Sequence, residues 1–269
     1  MDTVISSPDL CNQLGSSRSP LILDVRRREA FEQDARMLPG ALYRAPDEIA
    51  AWAGRLPSGQ SIVVYCVHGR EVSQGAARAL RDLGHDACYL EGGIAAWRAA
   101  GAPTLRKLGV QPCAGASRWV TRERPKIDRI ACPWLVRRFI DPLAQFLYVP
   151  ADQVLQAAQQ HSAIAYDVPG VTFSHRGERC SFDALVEDFD LHDAALDRLA
   201  RIVRGADTDR LDLAPQCAGL LALSLGLSAS HGDDLVMLEH GMTLYDALYA
   251  WCRLDTAGSS ERHNWSYPS

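Results

Sequence analysis

The stretch Ile62-Val63-Val64-Tyr65-Cys66-Val67-His68-Gly69-Arg70-Glu71-Val72-Ser73 passes from an apolar run through a cysteine into a glycine-bearing loop. The four apolar residues predict a buried strand. Gln74-Gly75-Ala76-Ala77-Arg78-Ala79-Leu80 predicts a helix. A cysteine between a buried strand and a helix N-terminus is well placed to be a thiolate, because loop N–H groups and the helix dipole favour negative charge there. The competing reading is an inert core cysteine, since free Cys is among the most buried residue types.

The flanking sequence has the same alternation. Ser7 or Asp9 is expected to cap a short helix over 8–14, and Leu21-Ile22-Leu23-Asp24-Val25 is a second buried strand. Residues 46–56 are expected to be helical, with Ile49, Trp52 and Leu56 on one face. Residues 86–90 form a strand, Glu91-Gly92-Gly93 a turn, and 94–100 a short helix. Strands alternating with helices predict a parallel sheet covered on both faces. Cys66 then lies at the C-terminal end of a strand, where open α/β sheets place their ligands.

Leu23-Asp24-Val25-Arg26, Phe31, Leu38-Pro39-Gly40-Ala41, Val64-Tyr65-Cys66 with Gly69, and Leu90-Glu91-Gly92-Gly93-Ile94 with Trp97 occur in that order. Together they resemble a single-domain rhodanese over about residues 3–104. The resemblance implies that Cys66 takes a sulfane sulfur from a donor such as thiosulfate. It would hold that sulfur as a persulfide and pass it to a nucleophile, with no cofactor. Val67, His68, Gly69, Arg70 and Glu71 would form the cradle. Many rhodaneses carry Arg at the sixth loop position and Ser or Thr at the seventh; here these are Glu71 and Val72. A carboxylate near the sulfur would oppose thiolate formation.

The 269 residues suit two domains. Apolar content of 47% and charged content of 23% are those of an ordinary globular protein. A net charge of −5 gives no reason to expect nucleic-acid binding. Residues 1–10 lack a signal-peptide pattern and no apolar run approaches a membrane span, so a cytoplasmic protein without membrane association is expected. The eight cysteines contain no CxxC pair and are expected to be reduced. The domain organisation expected is residues 1–105, a linker over 106–116 containing Cys113, a second domain over 117–254, and a mobile tail over 255–269.

The second domain is expected to be mostly helical α+β. Strands are expected at 118–122, 146–149, 163–168 and 171–175. Helices are expected at 134–140, 151–160, 182–189, 193–204, 213–226 and 233–253. Leu235, Leu238, Met242, Tyr245 and Tyr249 form a core stripe on the last helix. Arg118, Arg122, Arg124, Lys126, Arg129, Arg137 and Arg138 crowd one segment against Glu123 and Asp128 alone. Such a patch suits an oxyanion, with Arg118, Arg122, Lys126, Arg129 and Arg137 as its binding residues, or else a solvated face. Ligand-type residues cluster at Asp167, His175, Glu178 and Cys180, at Asp207 and Asp209, and at Glu239, His240 and Asp246. From these, His175, Glu178, Asp207 and His240 are the expected ligands of a transition metal of unknown identity.

Ser117 to Arg122, Lys126 to Asp141, Phe173-Ser174-His175, Cys180 to Asp183, Ile202 to Asp207 and Tyr245 to Tyr249 resemble the C-terminal domain of the ChrB chromate-resistance family. That family is associated with chromate resistance and chromate-responsive regulation. Three functions follow as expectations. One is a sulfurtransferase using a small sulfur donor or thiol acceptor, coupled to a domain that binds a metal or an oxyanion such as chromate. Another is a chromate- or metal-responsive regulator with Cys66 as redox switch. The third is a metalloenzyme centred on the second domain.

Overall fold

The computed structural model describes residues 3–110 and 115–256. Cys113 and residues 257–269 of the expected tail lie outside the described residues. The chain divides into two compact units. The first runs to Trp119 and takes in Leu135–Gln145 and Asp188–Leu191; the second comprises Val120–Trp134, Phe146–Glu187 and the chain from His192. No helix among the described residues is long and apolar enough to cross a membrane.

In the first unit the chain forms β1 (Val4–Ile5), α1 (Ser7–Gln13), β2 (Leu21–Asp24), α2 (Arg28–Gln33), β3 (Arg36–Met37) and β4 (Ala41–Tyr43). It continues as α3 (Ile49–Trp52), β5 (Ile62–Tyr65), α4 (Glu71–Asp82), β6 (Ala87–Leu90), α5 (Gly93–Ala99) and β7 (Leu105–Arg106). Five strands make a parallel sheet in the order β1-β6-β5-β2-β4. Every residue of β2 and β5 is buried, as expected of strands covered on both faces. The register aligns Asp24 with Tyr65. Ser6, one residue before the expected caps, accepts the Asp9 N–H at the start of α1. The helix expected over 46–56 is shorter, an α-turn at Ile49–Trp52 continued as a 3₁₀ turn to Arg55.

At the C-terminal ends of β2 and β5 sits a buried ionic cluster. Arg26 is 1% exposed and Asp24 is fully buried. Arg26 Nη2 lies 2.6 Å from Asp24 Oδ2, and Tyr65 Oη donates to the same oxygen at 2.6 Å. Arg26 Nη1 reaches Asp34 at 2.7 Å. The Leu38 N–H in turn donates to Tyr65 Oη at 3.2 Å. One guanidinium thus ties the end of β2 to the segment beyond α2, and Tyr65 joins the end of β5 to the same carboxylate.

The second unit holds most of β8 (Arg118–Arg122), α6 (Asp128–Leu135), β9 (Gln145–Val149), α7 (Val154–His161), β10 (Ile164–Ala165), α8 (Ser181–Asp188), α9 (Ala194–Asp207), α10 (Cys217–Ser230) and α11 (Asp234–Thr256). The short sheet has the order β10-β8-β9. The strand expected over 171–175 reduces to a single bridge between Tyr166 and Phe173. Leu238, Met242, Tyr245 and Tyr249 are buried, but Leu235 is exposed in the first turn of α11.

The helix expected to begin at Trp134 begins instead at Asp128 and continues through Pro133 into a π-turn over Val136–Ile140. Proline at 133 cannot donate to the carbonyl of Arg129. The hydroxyls of Tyr148 and Tyr166 donate to that carbonyl instead, at 3.1 and 3.3 Å. Side chains from elsewhere in the unit therefore replace the hydrogen bond that proline removes, which the local sequence gives no means of anticipating.

Replacing Arg26 with Ala leaves Asp24 buried without its cation, and denaturant titration is expected to show a loss of about 3–5 kcal/mol. Replacing both Tyr148 and Tyr166 with Phe strips the Arg129 carbonyl of its hydroxyl donors. The double variant is expected to lose about 1–3 kcal/mol, more than the two single changes summed.

Candidate functional site

In the first unit the loop after β5 carries Cys66, which is 6% exposed. Its backbone curls because Gly69 and Gly93 have φ of +64° and +58°. A Cβ on Gly93 would meet the Cys66 carbonyl oxygen at 2.3 Å, and one on Gly69 would meet the Gly92 nitrogen at 2.6 Å. The two backbone segments therefore pack against each other where only glycine fits. The N–H groups of Ile94 and Ala95 donate to the carbonyls of Cys66 and Val67, each at 3.0 Å. The first turn of α5 thereby fixes the base of the loop.

The sulfur is held from the other side by the start of α4. Ser73, Ala76, Ala77 and Leu80 are the buried face of that helix, at i, i+3, i+4 and i+7. Ser73 Oγ lies 3.2 Å from Cys66 Sγ. With the sulfur as thiolate, the hydroxyl is the donor. Burial alone would push the Cys66 thiol up. The Ser73 hydroxyl and the N–H groups of Ser73, Arg70 and His68 outweigh burial and hold the thiol below its usual range.

The cradle residues divide by atom. His68, Arg70 and Glu71 have exposed side chains, and His68 and Arg70 serve the sulfur through their backbones. Glu71 opens α4, where a carboxylate suits the positive helix end. Val72, in the position where a hydroxyl residue is usual, is half-buried, and the hydroxyl comes from the next residue. The expectation from the sequence missed Ser73. The signal was present in the stripe of Ala76, Ala77 and Leu80, which reaches Ser73 when extended back one turn. A cleft of about 370 Å³ beside the loop is lined by Arg26, Gln33, Asp34, Val67, Ile94 and Arg98. Arg98 donates to both carboxylate oxygens of Asp34 at 2.8 Å.

The second unit gathers a different set. His175 Nε2 lies 3.2 Å from Asp207 Oδ2, 3.4 Å from Asp167 Oδ1 and 3.6 Å from Asp128 Oδ2. Asp128 stands at the start of α6 and accepts the N–H groups of Ser181 and Phe182 at 2.5 and 3.0 Å. Ser181 Oγ donates to Asp167 at 2.9 Å. Asp207, expected between helices, is the last residue of α9. Burial pushes the carboxyls of Asp128 and Asp207 up, and their carboxylate neighbours push them further. The same burial pushes the thiols of Cys132 and Cys180 well up, so both remain protonated.

Of the expected metal ligands, the fold brings His175 and Asp207 together. Glu178 is exposed in the turn before α8. His240 is exposed on α11 and stacks on His231 with ring centroids 4.4 Å apart. Asp128 and Asp167 take the places at the centre. Asp128 was hidden in the basic run, where it reads as a counter-charge. Asp246 accepts the Trp134 indole N–H at 2.8 Å, a core role.

The expected oxyanion residues are dispersed. Arg118 and Arg137 belong to the first unit, and Arg122, Lys126 and Arg129 to the second. Arg137 Nε donates to the Ala144 carbonyl. Arg122 and Arg129 both address Asp167 Oδ2, at 3.0 and 3.4 Å.

Comparison with known proteins agrees with this two-part construction. The model of the rhodanese-like domain matches residues 7–100, and that of the ChrB C-terminal domain matches residues 119–252. Protein ChrB of Cupriavidus metallidurans is 36% identical over 132 residues, covering 49% of this chain; the chain spans 39% of that protein's length. Thiosulfate sulfurtransferase GlpE of Shewanella oneidensis is 33% identical over 91 residues, 34% of this chain and 87% of GlpE. A rhodanese-related protein from Thermoplasma volcanium of known structure is 26% identical, covers 38% of this chain and 97% of its own, and superposes with a TM-score of 0.34. The chain thus joins a domain of the rhodanese-like family, at residues 7–100, to a domain of the ChrB C-terminal family, at residues 119–252.

Proposed function

We propose that the chain is a sulfurtransferase that carries sulfane sulfur as a persulfide on Cys66. In this reading the second domain binds a metal ion or an oxyanion in the setting of chromate resistance. The observation that carries the first part is the Ser73 hydroxyl 3.2 Å from one buried sulfur, in a loop whose N–H groups at residues 68, 70 and 73 also favour the thiolate. The thiolate is the form that attacks. The likeness to GlpE over 87% of that sulfurtransferase supports the same reading.

With thiosulfate as donor, the Cys66 thiolate attacks the outer sulfur. A new S–S bond forms, the donor S–S bond breaks, and sulfite leaves with the electron pair. The persulfide on Cys66 then carries the negative charge that the thiolate held, and the same N–H groups stabilise it. A thiol acceptor in its thiolate form attacks the outer sulfur and Cys66 leaves as thiolate. No cofactor takes part in either step. The cleft beside Val67 and Ile94 suits a small donor or a low-molecular-weight thiol.

Intact-mass spectrometry after thiosulfate treatment is expected to show a gain of about 32 Da, one sulfur, localised to Cys66 and absent from Cys66→Ser. A wild-type protein that gains no mass would overturn sulfur transfer and leave Cys66 as a redox switch. Ser73→Ala removes the side-chain donor. Because the folded protein holds the Cys66 thiol low, alkylation by iodoacetamide should begin at lower pH than for a free cysteine. In Ser73→Ala that profile is expected to move to higher pH, with persulfide formation at neutral pH slowed roughly tenfold or more.

A further inference from the structure

We infer that Asp128, Asp167, His175 and Asp207 form a binding site for one divalent first-row transition-metal ion in the second unit. This rests on reading that domain as a ligand-binding one, and it is independent of sulfur transfer at Cys66.

The first ground is donor arithmetic. Three carboxylate oxygens converge on His175 Nε2 at 3.2, 3.4 and 3.6 Å. One imidazole nitrogen carries at most one proton and can donate it to one of them; Ser181 donates once each to the facing oxygens of Asp128 and Asp167, which leaves each of those oxygens a further lone pair. Arg122 and Arg129 reach the outer oxygen of Asp167, so among the described residues His175 is the basic side chain within 4 Å of both Asp128 and Asp207. Asp128 is 1% exposed and cannot turn to solvent. A divalent cation in place of the single proton meets all four donors at once.

The second ground is spacing. Donor atoms about 2.1 Å from a common metal stand roughly 3.0–3.4 Å apart. Two of the separations from His175, 3.2 and 3.4 Å, fall in that range, and the third, 3.6 Å, lies just beyond it. One donor atom each from Asp128, His175 and Asp207 already lies within 4.8 Å of the others.

The third ground is support and access. Two of the carboxylates have outer partners: Asp128 takes the Ser181 N–H on its facing oxygen and the Phe182 N–H on the other, and Asp167 takes Ser181 Oγ on its facing oxygen and two arginines on the other. Such outer partners are what fix ligands in a metal site. His175 is 42% exposed, so the centre opens to solvent. One imidazole and three carboxylates form a hard-to-borderline donor set, suited to Mn²⁺, Fe²⁺ or Zn²⁺ and unsuited to soft Cu⁺. Three carboxylates also repel an oxyanion from the same place.

The test uses the full chain, stripped with chelator and titrated with Mn²⁺ and, separately, Zn²⁺. At least one ion is expected to bind at one per chain and raise the melting temperature. His175→Gln and Asp207→Asn should weaken binding at least tenfold, while Glu178→Gln and His240→Ala keep wild-type affinity. Far-UV circular dichroism checks that each variant folds. The Mn²⁺ electron paramagnetic resonance spectrum of the wild type reads nitrogen ligation without any variant. Failure of the wild type to take up either ion, or wild-type affinity in both site variants, would overturn the site. Chromate uptake by the ion-free protein in place of metal would overturn it too, while leaving the broader ligand-binding reading and persulfide formation on Cys66 standing.

Discussion

A thiolate on a residue only 6% exposed to solvent has to be stabilised by the protein itself. Cys66 meets that demand through hydrogen-bond donors. The Ser73 hydroxyl lies 3.2 Å from the sulfur, and the N–H groups of His68, Arg70 and Ser73 add to its effect in holding the thiol below its usual range. That arrangement requires a tightly curled loop, and the curl requires Gly69 and Gly93 to lie back to back. The loop can hold that shape because the strands beneath it are fixed. Arg26, Asp24 and Tyr65 lock the ends of β2 and β5 to each other, directly below the point where the chain leaves β5.

The second unit solves an opposite problem. There the buried charge is carboxylate and its neighbours are other carboxylates. The start of α8 supplies two N–H groups to Asp128, and Ser181 supplies its hydroxyl to Asp167. These donors orient the carboxylates without cancelling their charge. The helix that carries Asp128 accommodates Pro133 because two tyrosine hydroxyls take over the Arg129 carbonyl. The position of Asp128 therefore depends on β9 and on the segment after β10 as much as on α6.

The first unit was largely legible in the sequence because its signals are local. Apolar runs of four residues, a glycine after the cysteine and the Gly92-Gly93 turn each specify their own conformation. What was missed there, Ser73, extends by one turn the buried face of α4, a helix the sequence predicts over residues 74–80. Glu71 was read as a threat to the thiolate from its sequence distance alone; at the start of α4 its side chain is exposed, and the donors around Cys66 set the acidity. The second unit was less legible because its site is assembled from afar. Asp128, the Asp167–His175 stretch and Asp207 come from three parts of the chain separated by tens of residues, and each carboxylate has an ordinary local explanation as a cap, turn or surface charge. His240 and Glu178 had the right chemistry and the wrong place, since only tertiary structure decides which carboxylates surround an imidazole. The basic run likewise looked collective in sequence, yet Arg122 and Arg129 share Asp167 as partner while Arg137 donates to the Ala144 carbonyl.

The central claim is that the donors holding the Cys66 thiolate also hold a transferred sulfur. A crystal structure of the wild-type protein after thiosulfate treatment addresses it directly. The account predicts one additional sulfur bonded to Cys66 Sγ, within hydrogen-bond distance of backbone N–H groups from residues 68–73. An unmodified Cys66, with the added sulfur on another cysteine or none present, would contradict it.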